Sequence, residues 1–135
     1  FHNAPTLPGN RTESSTMYMK LIRDADKLDI WKVFADFCRN GDQPDAAIVR
    51  HLSDQPTWTP AIVDAIMSGQ MAMFENMQSI CDFKLLQLSW VFDLNWPESL
   101  KQAHLRDDLG EIARSLPDHR IIGNAVDRVM NHLLE

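Results

Sequence analysis

The sequence predicts an all-α fold, about six helices packed in one domain over residues 1–135. Three observations carry that expectation. Apolar residues recur at helical spacing along most of the chain, and Pro, Ser, Thr and Asp stand where helices should begin. No alternating strand pattern of convincing length occurs, and no repeat period shows. A chain of 135 residues is long enough to bury a sizeable core.

The elements follow in order. Residues 1–16, FHNAPTLPGNRTESST, read as an extended loop. Ser15 or Thr16 supplies a cap for a long central helix near residues 16–39, which stops at Asn40-Gly41. At 100° per residue, Met19, Ile22, Ile30, Val33 and Phe37 share one face of it. Met17, Leu21, Leu28, Trp31 and Ala35 share nearly the opposite one. A helix apolar on two sides belongs in the middle of a fold. Pro44 opens a short helix with Ala47, Ile48 and Leu52. Thr59-Pro60 is a cap followed by a first-turn proline, and Ala61–Met67 continues the helix as far as Gly69. Residues 70–80 leave helix and loop open. Asp82–Leu94 has helical length, although Trp90, Val91 and Phe92 also suit a strand. Pro97 starts a helix that bends near Gly110 and ends at Leu116. Asp118 caps the last helix, whose core face is Ile121, Ile122, Ala125, Val126, Val129, Met130 and Leu133.

Charge and cysteine usage narrow the function classes. Lys and Arg number 13 and Asp and Glu 19, a formal charge of −6, which argues against a nucleic-acid backbone as partner. The two cysteines, Cys38 and Cys81, cannot frame a disulfide scaffold, so a reducing cytoplasmic setting is expected. No apolar run approaches the length of a membrane span. The chain starts at Phe1 with no initiator Met, which fits processing, or a piece of a longer chain.

The most informative segment is Arg23-Asp24-Ala25-Asp26-Lys27-Leu28-Asp29. On the wheel Asp26 falls between Ile22, Ile30 and Val33, on a stripe expected to face inward, with Asp29 about 60° away at its border. Arg23, Lys27 and Asp24 project elsewhere, the two cations onto a solvated face. A carboxylate on a buried stripe needs a cation or strong donors: a metal ion, an Arg, or an ordinary ion pair or helix-to-loop hydrogen bond. Asp93, between Phe92 and Leu94, reads as a structural hydrogen-bonding acid. The methionines Met67, Met71, Met73 and Met77 read as core filling, with an adaptable surface as the other use.

The string RDADKLD resembles the last motif of the HD superfamily of metal-dependent phosphohydrolases, with Asp26 at the position of the metal-ligating Asp. Phe1-His2-Asn3-Ala4-Pro5 is similar to the family's His-Asn element. Leu88-Ser89-Trp90-Val91-Phe92-Asp93-Leu94-Asn95 resembles a segment of one bacterial branch of that family. The sequence departs from the family in having no His-Asp step. Its other histidines, His51, His104, His119 and His132, all follow the Asp helix, whereas the family's His and His-Asp ligands precede it. Two explanations stand: the chain is the C-terminal part of a longer protein, or it is a degenerate, metal-free relative.

The resemblance implies hydrolysis of a phosphate ester, with a small phosphorylated molecule as substrate. It implies a divalent metal ion (Mn, Mg, Fe, Zn, Co or Ni), which polarises the phosphoryl oxygen and acidifies a bound water. Asp26 becomes a metal ligand, and Asp26 and Lys27 the catalytic candidates. His2 ligates a second metal or donates to a phosphate oxygen. Arg23, like Lys27, is a cation able to contact phosphate. Asp29 orients a ligand or caps a neighbouring helix. One Asp and one His do not complete such a site, so this chain alone is expected to be inactive. With the Asp26 face uncovered, a homodimer over that face or a helix swap is expected.

Overall fold

The computed structural model describes residues 13–40, 52–53 and 55–134. Among them are six α-helices and no strand: α1 (Glu13–Asn40), α2 (Pro60–Met67), α3 (Ile80–Ser89), α4 (Pro97–Arg106), α5 (Asp108–Arg114) and α6 (Arg120–Leu134). Two 3₁₀ turns, Phe74–Asn76 and Trp90–Asp93, and one isolated bridge between Ser53 and Ser79 complete the regular structure. The fold is therefore the all-α bundle that the periodicity predicts. The short helix expected from Pro44 lies outside the described residues, as does His2.

α1 is the expected long helix and ends at Asn40 as the Asn-Gly pair implies. It begins at Glu13, so Ser15 and Thr16 lie in its first turn rather than ahead of it. Its burial is one-sided. Trp31, Phe34, Ala35 and Asp24 face the bundle, and α1 packs on α5 and α4. The helix enclosed on most sides is α3: Cys81, Asp82 and the continuous run Leu85–Ser89 are all buried. The helix ends at Ser89, and Trp90, Val91 and Phe92, the residues that also suited a strand, form the 3₁₀ turn that follows it. Ser79 caps α3 by accepting the N–H of Asp82 at 3.0 Å. The Trp31 indole N–H donates to the Gln87 carbonyl at 2.8 Å and fixes α1 to the end of α3.

Pro60 opens α2, which buries Ile62, Val63 and Ile66 against α6 and α3. The hydroxyl of Thr59 does not cap α2; it donates to Asp82 Oδ2 at 2.6 Å, while the Thr59 N–H donates to Oδ1 at 2.7 Å. With the Gln78 N–H on Oδ2 at 3.0 Å, Asp82 joins the starts of α2 and α3 in a buried position. Gly69, at φ 74°, takes the left-handed position that turns the chain out of α2. Residues 70–73 are irregular and are pinned by the Ala72 N–H on the Ser89 hydroxyl at 2.9 Å. Met67, Met71 and Met73 are exposed here rather than core.

The break after Pro97 falls at Asp107, not at Gly110. Asp107 has φ 57°, a conformation that Asp tolerates better than most residues. Gly110 contributes by space: a Cβ there would collide with the Asp107 carboxylate. The last helix is capped by His119, whose Nδ1 accepts the Ile121 N–H at 3.1 Å, so the side-chain acceptor sits one residue after Asp118. Ile122, Ala125, Val129 and Leu133 form its buried face, while Ile121 is exposed. One hydrophobic core, centred on Leu85, Leu88, Val91, Ile66 and Ile112, joins all six helices. None of the described helices is long and apolar enough to cross a membrane.

Candidate functional site

The candidate site is the middle of α1, where four charged residues within five positions have different surroundings. An α-helix turns 100° per residue, so Asp24 and Asp26 point about 160° apart. Asp24 is the buried one, 1% exposed. Its Oδ1 accepts the Asn95 N–H at 3.0 Å and the Asn95 amide at 2.9 Å. Its Oδ2 accepts the Asn95 N–H at 3.0 Å and the Trp96 N–H at 3.1 Å. Trp96 stands just before Pro97, so this carboxylate also lies at the positive end of the α4 dipole. A groove of about 370 Å³ between α1 and α4 runs past Leu21, Ala25, Leu28 and Trp96 to Asp24. Both oxygens of that carboxylate are already occupied, so the groove presents no open carboxylate.

Asp26 lies on the other side. The stripe of Ile22, Asp26, Ile30 and Val33 that the sequence assigns to the interior faces away from the described bundle: Ile30 is 42% and Val33 58% exposed. Asp26 is half-buried and engaged in an interaction of its own. Both apolar faces exist as the wheel predicts, but the bundle takes the one with Trp31 and Ala35. The physical reason lies in side-chain size and polar matching. Trp31 and Phe34 bury more surface than Ile30 and Val33, and Asp24 finds three donors on the segment 95–96. Asp29 is exposed at the edge of the outward face.

Arg23 and Lys27 do not lie on a solvated face. Their side chains are 11% and 12% exposed, and both meet the same atom, Asp93 Oδ2, at 2.9 and 2.8 Å. Asp93 ends the 3₁₀ turn Trp90–Asp93, and the Trp90 ring lies 6.5 Å from Trp31. The segments RDADKLD and LSWVFDLN, about 70 residues apart, are therefore in direct contact, through Arg23–Asp93, Lys27–Asp93 and Asp24–Asn95. Asp93 is the structural acid its apolar flanks predict, and the structure supplies its partners.

Sequence reasoning missed Asp24. Its signal was present, because Asp24 shares a face with Leu28, Trp31 and Ala35, at spacings of four, seven and eleven. It also left Asp82 as a helix start, although Ser79 three residues earlier is the pattern of a capping box.

Among the described residues no three His, Cys, Asp or Glu side chains converge to hold a metal ion. Asp26 by itself is one carboxylate and does not fit a complete metal site. Cys38 and Cys81 are free thiols. Burial, reinforced by the charge of Asp82, pushes the Cys81 thiol up to about 11, so it is a core residue rather than a nucleophile. Comparison with known proteins finds no match to a family model, a curated protein or a solved structure.

Proposed function

We propose that the chain is the C-terminal part of an HD-type phosphohydrolase, which in complete form hydrolyses a small phosphate ester with a divalent metal ion. One observation carries the reading. Asp26 stands on an outward apolar stripe of a rigid helix, while its neighbours Arg23, Asp24 and Lys27 are tied into the bundle. A carboxylate flanked by Ile22, Ile30 and Val33 suits a site closed by further polypeptide, where low polarity strengthens metal ligation. Asp26 contributes one ligand. The others come from outside the described residues, with His2 a candidate for a metal or for a phosphate oxygen. When bound, the ion supplies Lewis acidity and an acidified water. Asp29 orients a ligand from the edge of the stripe. A cytoplasmic setting without nucleic acid or membrane partners belongs to the same proposal.

The test is made on the natural full-length chain. Bound metal and phosphate release are measured with and without Asp26→Ala. Loss of both in a folded protein is expected, and unchanged metal content and turnover would overturn the reading.

A second reading has an observation of its own. Met17, Tyr18, Leu21, Ile30 and Val33 are all exposed on α1, which favours a non-catalytic helical module or degenerate HD relative that uses this helix to bind a partner or a second copy. A His-Asp pair encoded ahead of Phe1 excludes it. Sedimentation of the chain as a monomer removes the homodimer form.

A further inference from the structure

We infer that the end of α2 and the loop after it, residues 67–76, form a docking surface for a basic amphipathic helix of a partner protein. The inference is independent of the phosphohydrolase reading and of the apolar residues on α1. Met67, Met71, Met73 and Phe74 are all exposed here, Phe74 to 69%. Internal hydrogen bonds fix the backbone that displays them. The Gly69 and Gln70 N–H groups return to the Ile66 and Ala65 carbonyls at 2.9 Å each and close α2. The Ala72 N–H donates to the buried Ser89 hydroxyl, which donates in turn to the Leu86 carbonyl at 2.6 Å. Drawing Ala72 inward sends its neighbours outward: burial alternates from Met71 to Ala72 to Met73, as in an extended segment. The Asn76 and Met77 N–H groups then close a 3₁₀ turn on the Met73 and Phe74 carbonyls at 3.1 Å each, with the Phe74 ring in solvent. Four apolar side chains are thus held in water by an ordered loop, and a partner that covers them gains apolar burial without the entropy cost of ordering it.

The charge around the loop selects the partner. Residues 52–83 contain no Lys, Arg or His. Asp64 on α2 and Glu75 beside Phe74 are exposed and form no ion pair among the described residues. Arg128 reaches the loop from α6, but its guanidinium lies over the Phe92 ring, 5.0 Å from the centroid, and against Gly69 at the negative end of α2. Its charge is matched within the protein, so the rim left to a partner is acidic, on a chain of formal charge −6. A basic amphipathic helix meets both features: its apolar stripe covers the Met and Phe side chains, and its cations face Asp64 and Glu75. Flexible methionine chains adapt to such a stripe. The Gln70 and Ala72 N–H groups are already engaged, so recognition falls to side chains rather than to an added strand.

The probe is a fluorescein-labelled peptide of Leu and Lys with Leu at helical spacing, and its affinity is read by anisotropy over a range of salt. Expected is binding that weakens about tenfold or more in Phe74→Ser and in the double variant Met71→Ser with Met73→Ser. Asp64→Asn and Glu75→Gln weaken it about two- to fivefold each and flatten its salt dependence. Leu105→Ser removes a comparably exposed apolar residue, 64% exposed on α4, and leaves affinity unchanged. The same peptide with Glu in place of Lys does not bind. All the substituted side chains are exposed, so these variants keep the fold. Absence of binding by the Leu and Lys peptide, unchanged affinity in Phe74→Ser, an equal loss in Leu105→Ser, or equal binding of the Glu peptide overturns the inference. Self-association of the protein alone that Phe74→Ser abolishes overturns it as well, because the surface then belongs to a second copy.

Discussion

Replacing Asp24 with Ala should destabilise the protein far more than replacing Asp26, although the two acids are separated by one residue. Asp24→Ala removes the acceptor of the Asn95 and Trp96 backbone N–H groups and of the Asn95 amide. Asn95 is exposed, so its side-chain amide regains water and adds little. The exposed Asn95 N–H is rehydrated as well, so one stranded donor, that of Trp96, sets the cost at about 1–3 kcal/mol. Loss of a carboxylate at the start of α4 adds about 0.5–1 kcal/mol. The sum is about 1.5–4 kcal/mol, a fall in melting temperature of roughly 10 °C for a domain of this size. Asp26→Ala removes a half-buried carboxylate on the outward stripe and should cost less than about 1 kcal/mol. Urea unfolding followed by circular dichroism, with thermal melts of both variants, measures the difference. Equal destabilisation by the two changes, or an Asp24→Ala protein within about 0.5 kcal/mol of wild type, would refute the assignment of Asp24, rather than Asp26, to the polar contacts that hold the fold.

Three further outcomes are expected. Cys81 should resist thiol reagents in the native protein, because burial holds its thiol near 11; the folded value is the higher one, so its contribution to stability is intact below the ordinary value of 9.0 and is lost as pH rises toward 11. Labelling followed by mass spectrometry checks this, and fast native labelling at pH 8 would contradict it. Asp108 is held above its ordinary 3.8 by burial, with Arg106 opposing, so its contribution is present at acid pH and declines as pH rises through the folded value. Asp108→Asn should therefore gain stability relative to wild type between acid and neutral pH, and a relative loss over that range would count against the sign. Trp31→Phe removes the 2.8 Å bond to the Gln87 carbonyl and should cost about 1–2 kcal/mol, read as a lower urea midpoint with an unchanged slope.

The helices were legible where one residue type has one use. Pro60 and Pro97 open α2 and α4, Asn40 closes α1, and the Ile122, Ala125, Val129 and Leu133 spacing marks the buried face of α6. What escaped were choices between equivalent local options. A helix with two apolar stripes does not say which will meet the bundle, because that depends on partners far along the chain. Asp24 on α1 is matched by Asn95 and Trp96, and Arg23 and Lys27 by Asp93. The break at Asp107 escaped for a related reason. Gly110 attracts attention as the flexible residue, yet it acts by leaving room for the Asp107 carboxylate, a contact visible only in three dimensions.

The segment 93–96 reads α1 by polar contacts at three successive angles. Asp93 takes Arg23 and Lys27, and the backbone of Asn95 and Trp96 takes Asp24. Apolar packing alone resists rolling of a helix only weakly when a second apolar stripe is available to replace the first. These directional bonds do resist it, because a roll of one residue position takes the shared acceptor from two backbone N–H groups and separates two ion pairs. The roll of α1 fixes where Asp26 points. The segment 93–96 therefore has a chemical consequence without touching Asp26: it commits one acid of the Asp24/Asp26 pair to the fold and so leaves the other directed outward. Asp93 stands at the junction of these two effects, since the same carboxylate that sets the helix roll also gathers the two cations beside Asp26.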